Sequence, residues 1–458
     1  MLPRIRARAA SPALGALDAG ADGWAAFLLD CGALLGKLSH LSSYVTCLAS
    51  ADAADERYVL AEGRVGLLRS EVDKLMPSLR RALGDASDAA FERFASREEL
   101  AGCRFFLRQL REEQKTSMAP ELEALASDLG NFGIVAWGRL YDTVSAQLSF
   151  EMTDESGARV TLPMAARRSR MADASPAIRK SAFDGGNVAW HSVREVAAAA
   201  LNHIAGTRHV LHQRRGVAHF LDVARHQAAV SARTLDAMNE AVAAGRALPR
   251  RGLALKAKAM GKARIDWCDL EAPFPFGSGA RVPFEEGVSM VKGAFDAAYP
   301  RLAGYFARML DARCIESEER GNKRPGAYCT SSDYNDEVRI FMTYAGSLGD
   351  VSTLAHEVGH AFQAEVMRPC RVLARQLPMT LAETASTFAE ALLAEGLIAR
   401  PGLCRADRAL LLGEQVGDAA AFLLDVPTRF LFERRFYEER KAGELPASRL
   451  CELMVEAQ

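Results

Sequence analysis

From about residue 12 to 140, Ala, Leu, Glu and Arg recur at helical spacing with few Gly or Pro interruptions, and the same pattern resumes from about 175 to 310. Between these stretches, Val144–Met152 and Arg159–Leu162 alternate around Asp154-Glu-Ser-Gly157, which predicts a small hairpin. Pro273, Pro275 and Gly277 mark a loop. Val338–Tyr344 is rich in β-branched and aromatic residues and reads as a strand, either an edge strand able to hold an extended peptide or a buried structural one, that leads through Gly346 and Gly349 into a further helix. In that helix Val351, Leu354, Val358 and Phe362 form an apolar stripe, Asp350 is the expected cap and Pro369 the stop. A helix over Phe430–Lys441 follows, then a final one capped by Ser448 with Leu450, Leu453 and Met454 on its apolar face. The fold class is mainly α with a small β element. The expected organisation is an N-terminal helical region with the hairpin over 1–175 and a second region over 176–458.

The helix after Val338–Tyr344 carries His356-Glu357-Val358-Gly359-His360. Residues four apart on a helix stand one above the other, so His356 and His360 can present imidazole nitrogens to one ion. Glu357 lies beside them. A zinc ion with three protein ligands keeps a fourth position for water and lowers its pKa to about 7, and a neighbouring carboxylate can take the proton. Gly359 costs a helix roughly 1 kcal/mol relative to Ala, which is understandable if another backbone comes close there.

The third ligand defines the subclass. Gln363 and Val366 stand where the metzincin pattern requires Gly and His, so that class is excluded. A Glu on a following helix is another solution, and Leu377–Glu390 offers Glu383 near a helix start and Glu390 two turns later. Thr380-Leu-Ala-Glu383 equally fits a capping box, and Glu390 is either a ligand or a solvated helix residue.

The runs Arg339–Gln363 and Pro378–Thr387 resemble the core of the M3 metallopeptidases, specifically the oligoendopeptidase F branch. Weaker similarities at Asn322–Cys329, Asp269–Pro273, Trp137–Tyr141 and His40–Tyr44 spread the resemblance over most of the chain. It implies a helical zincin-type metallopeptidase with its small β element near the active site, and a deep channel admitting short peptides. It also implies one zinc per chain on His356, His360 and Glu383, with Glu357 as general base. Members of that family continue past the point matching Gln458 and carry there His and Tyr residues for the tetrahedral oxyanion. Here no His follows His360, and Tyr437 is the only Tyr after Tyr344. Loss of one oxyanion donor typically costs about 10²–10³ in kcat. The expectation is a zinc endopeptidase for short peptides, incomplete at its C-terminal end, with a catalytically impaired zinc- and peptide-binding remnant as the alternative.

Composition narrows the setting. With 49% hydrophobic and 25% charged residues the chain can bury a large core, and no run of 18 apolar residues predicts a membrane span. A net charge of −1 gives no footprint for nucleic acid. The local basic stretch Arg250, Arg251, Lys256, Lys258, Lys262 and Arg264 reads as a solvated helix face. The first ten residues lack the apolar core of an export signal, and nine cysteines without a C-x-x-C pair fit a reducing, cytoplasmic compartment. Cys329 is expected to be a buried free thiol rather than a ligand.

Overall fold

Helices dominate the computed structural model of the chain, which describes residues 1–9, 15–275, 281–324 and 326–458. Gly277, expected in a loop, lies outside those residues. The strands are β1 (Ser149–Thr153), β2 (Arg159–Pro163), β3 (Ile315–Glu316), β4 (Tyr328–Ser331) and β5 (Val338–Phe341). The helices that position the site are α1 (Ala21–Ala51), α2 (Phe284–Ala298), α3 (Pro300–Asp311), α4 (Leu348–Met367) and α5 (Thr384–Ile398). The chain forms two units. One comprises Met1–Ser117, His226–Ala229 and Gly279–Leu403, the other Met118–Arg225, Val230–Ser278 and Cys404–Gln458.

In the first unit, α1 turns Trp24, Phe27, Leu28 and Leu38 onto Leu79, Leu83, Phe91, Phe94 and Leu107, and Leu373 closes the same core from far along the chain. Each buried Leu or Phe contributes roughly 1.5–3 kcal/mol, so α1 is firmly tied to the segment that follows α4. The sheet of this unit runs β3-β5-β4, with β3 parallel and β4 antiparallel to β5. Of the two readings of Val338–Tyr344, the structure builds the buried one, since β5 is the central strand. A two-residue strand such as β3 offers no alternation to read, which is why no pattern along the chain announces it.

The two edges are β3 and β4. Ser332 N–H donates to Glu337 O at 2.8 Å, so Thr330 and Tyr328, in step with Ser332, face β5. Cys329 and Ser331 turn their main-chain groups outward. Ser331 O accordingly accepts from Ser39 Oγ of α1 at 3.1 Å, Asp333 N–H donates to the same hydroxyl at 3.2 Å, and His40 Nδ1 lies 3.0 Å from Ser332 Oγ.

In the second unit, β1 and β2 form the predicted hairpin, registered from Ser149↔Pro163 to Thr153↔Arg159. Val144–Gln147, expected in its first strand, instead completes the helix Ile134–Gln147. Phe150 and Met152 pack on Ile178 and Ala182 of the helix Pro176–Ser192. Arg179 of that helix is 1% exposed and donates from Nε and Nη2 to Asp269 Oδ1 at 3.2 and 2.8 Å. Of the basic stretch, Arg250, Arg251, Lys258 and Arg264 are solvated as expected, but Lys256 is buried. Its Nζ donates to Leu270 O at 2.7 Å and sits 5.2 Å from the Phe274 ring, and Lys262 pairs with Asp266 and Asp269. Near the C-terminus the helices span Val426–Arg440 and Ala447–Ala457. Pro446 stands at the cap of the latter, so Ser448 lies inside the first turn and does not cap it. No helix among the described residues is long and apolar enough to cross a membrane.

Candidate metal centre

The chain enters α4 through Gly346, whose φ of +92° is a left-handed conformation suited to glycine. The cap is Ser347, three residues before the expected Asp350. Ser347 Oγ accepts from Asp350 N–H at 3.0 Å, while Asp350 Oδ2 accepts from Ser347 N–H at 2.9 Å and Ala345 N–H at 3.1 Å. This capping box satisfies two otherwise orphaned donors and contributes on the order of 1 kcal/mol to the helix start. Val351, Leu354, Val358 and Phe362 are buried as the stripe predicts, and the helix ends two residues before Pro369.

Gly359 is where α5 crosses. A Cβ there would lie 2.5 Å from Ala385 O and 2.7 Å from Ser386 Cα, so only glycine lets the two helices approach this closely. The approach delivers two carboxylates from α5 and the residue before it. Glu383 Oε2 lies 3.3 Å from both His356 Nε2 and His360 Nε2, and the two imidazoles stand nearly perpendicular with centroids 4.8 Å apart. One ligand atom from each of the three residues falls within 4.8 Å of the others. Atoms held about 2.0–2.1 Å from a tetrahedral ion stand about 3.3–3.4 Å apart, so the donor set fits zinc in kind and in spacing.

The capping alternative for Glu383 is not built. Thr380 Oγ1 donates to Ala228 O at 2.6 Å, and Glu383 caps no helix with its side chain. Ser386 Oγ is instead 2.9 Å from both the carbonyl oxygen and Oε2 of Glu383. Glu390 is neither in the cluster nor merely solvated. Its Oε1 lies 2.6 Å from His356 Nδ1, which turns Nε2 of the same ring toward Glu383. This hydrogen bond, opposed by burial, raises the His356 pKa, whereas burial and the neighbouring His356 lower that of His360. The sequence signal for Glu390 was its place seven residues after Glu383, which is two turns along one helix face.

Glu357 is 5% exposed, and its Oε2 has no hydrogen-bond partner among the described residues. Burial, opposed by the His356 charge and reinforced by Glu383 and Glu390, raises its pKa from 4.5 to about 7. A carboxylate in such surroundings takes up a proton readily near neutral pH. Cys329, on β4, is a free thiol; burial and then the Glu357 charge push its pKa well above the usual thiol range.

The profile of peptidase family M3 matches residues 305–450, and that of oligopeptidase F residues 83–150. An oligoendopeptidase F homolog of Lactococcus lactis is 26% identical over 220 residues, or 48% of this chain and 36% of the relative. The match thus spans about a third of the length of that relative. Among solved structures, a Chlamydophila abortus protein superposes with a TM-score of 0.81 at 19% identity, covering 100% of this chain and 78% of its own. The oligoendopeptidase-F of Enterococcus faecium gives 0.67 at 15% identity, covering 100% and 76%.

Proposed function

Starting from a chain that belongs to peptidase family M3, on its oligoendopeptidase F branch, we propose that it is a zinc-dependent endopeptidase acting on short peptides. The observation that carries this reading is the orphaned, buried Glu357 Oε2 beside two imidazoles and a carboxylate at zinc-ligand spacing. His356, His360 and Glu383 would hold one zinc ion, with Glu390 and Ser386 fixing the orientation of His356 and Glu383. Bound there, the metal supplies Lewis-acid polarisation and a water acidic enough to ionise near pH 7.

The residues of the chain do the rest. Glu357 takes the proton of the attacking water at its unpaired oxygen and returns it to the leaving amine, a role that its raised pKa suits. An extended peptide would align along the outer edge of β4, where Cys329 offers main-chain groups. We keep the cytoplasmic setting expected from the sequence, whose nine cysteines form no C-x-x-C pair.

The test is zinc content together with turnover of a quenched fluorescent peptide mixture, with a chelator control. About one zinc per chain and chelator-sensitive cleavage are expected, and Glu357→Gln should keep the zinc while cutting kcat by about 10²–10⁴. Undiminished cleavage by that variant would remove Glu357 from its role. Zinc binding without turnover in the unaltered chain would sink the peptidase reading.

A further inference from the structure

A cavity of about 480 Å³ adjoins the metal centre within the first unit and shares His360 with it. From His360 it follows one face of α4 through Gln363 and Met367, and it is bounded by α1 and by the turn between β4 and β5. Its volume falls in the range of sites that take a small ligand or a side chain. Its lining does not resemble most such sites, which are mainly apolar. Polar groups outnumber apolar ones, with hydroxyl and amide side chains from Ser42, Thr330 and Gln363 and charged ones, Arg69, Glu337 and Arg368, that are paired with Asp73, Arg339 and Glu365.

Several of these polar groups have no internal use, Gln363 and Ser42 among them. Gln363 and Ser42 are half-buried, and neither makes a side-chain hydrogen bond with the described residues. Ser39 and Arg375, by contrast, are committed to structure. Ser39 holds the β4 turn, and Arg375 is tied to Asp333 and Asp336 at 3.1 Å each and to the carbonyls of Cys370 and Arg368. The wall is thus held rigidly while Gln363 and Ser42 point spare donors and acceptors at whatever enters. An aliphatic or aromatic group placed there would strip water from these groups and return no hydrogen bond, a penalty that disfavours it strongly.

We infer that this cavity is the side-chain pocket of the peptide site, and that it selects polar residues with amide or hydroxyl side chains over aliphatic and aromatic ones next to the scissile bond. This rests on the peptidase reading, so the test separates the two. The zinc-loaded Glu357→Gln protein is titrated with a series of labelled peptides in which each position flanking one peptide bond is varied in turn among Gln, Ser, Lys, Leu and Phe. Binding to this variant reads the pocket without needing turnover. At one position, Gln or Ser should be preferred over Leu and Phe by about 10-fold or more, the scale of a hydrogen-bonded against an unpaired polar site. Adding Gln363→Leu should abolish or invert the preference at that position alone and leave zinc content unchanged, and Gln363→Glu should shift it toward Lys. Ser42→Val, a milder change on another helix, should weaken it in the same direction. A preference for Leu or Phe, or a preference indifferent to both Gln363→Leu and Ser42→Val, overturns the inference. If the preference is found while the unaltered chain cleaves nothing, the pocket stands and the proposed activity falls.

Discussion

Two buried carboxylates, one in each unit, are treated in opposite ways. Asp269 is fully buried, and burial alone would raise its pKa, but hydrogen bonds from Lys262 and Arg179 outweigh that and hold it below the ordinary 3.8. Glu357 is nearly as inaccessible, receives no donor at Oε2 and is driven upward. The first arrangement makes the charge part of the scaffold. The second leaves a carboxyl group poised between its two protonation states, which is useful only if something arrives to use it.

The largest expected effect of breaking this contrast is on the scaffold side. Arg179→Met removes the guanidinium and leaves Asp269 buried with Lys262 alone, a defect that costs about 3–5 kcal/mol. Hydrogen exchange at the amides of Pro176–Ser192 should register it, with zinc content unaltered. A loss under about 1 kcal/mol would mean that the pair is not what holds this helix.

Next in size is a difference of sign with pH in the metal-free protein. Glu357 has a folded pKa above its unfolded value, so its contribution is fully present below about pH 4.5 and is lost as pH rises through about 7. The full rise would be worth about 3 kcal/mol, an upper bound because water entry and relaxation reduce it. Asp269 has a depressed folded pKa, so its contribution is present above the ordinary carboxylate range and is lost as pH falls through the folded value. Denaturant-dependent exchange, corrected for intrinsic rates, should show α4 weakening from pH 5 to 7 and Pro176–Ser192 weakening on acidification. Glu357→Gln should reduce the first trend only, leaving the part that His356, with its raised pKa, adds to the same helix. Slopes of one sign at both helices would abolish the distinction.

The same contrast bears on what the sequence could and could not reveal. The His-Glu-x-x-His helix was legible because a single turn of α4 carries both imidazoles and Glu357, and the helix period places them without tertiary knowledge. Gly359 was legible as an anomaly, and the contact of α5 with it supplies the reason. What escaped depends on chain segments meeting. The Arg179–Asp269 pair spans 90 residues, β3 is too short to pattern, and the polar cavity is assembled from α1, β4 and α4. The choice of Asp350 over Ser347 as cap failed because both residues belong to one capping box, and only geometry says which is at the end.

Glu390 falls between these cases. Its spacing from Glu383 was visible, but its role depends on how closely α5 approaches α4, and spacing alone left it as either a ligand or a solvated residue. The 2.6 Å contact with His356 Nδ1 assigns it the orienting position that metal-binding imidazoles usually have, and such partners typically account for 10–100-fold in metal affinity. Glu390→Gln keeps the shape and can still accept from Nδ1–H, but it loses the charge that makes the bond strong. It should weaken zinc binding by about 10-fold. Glu390→Leu removes the acceptor altogether and leaves the ring free to turn, so it belongs near the 100-fold end. Competition with a chromophoric chelator measures both. The order wild type, Gln, Leu is the informative result, because loss of packing alone would not separate Gln from Glu. Equal affinities in all three proteins would return Glu390 to an ordinary helix residue and leave the orientation of His356 to the metal itself.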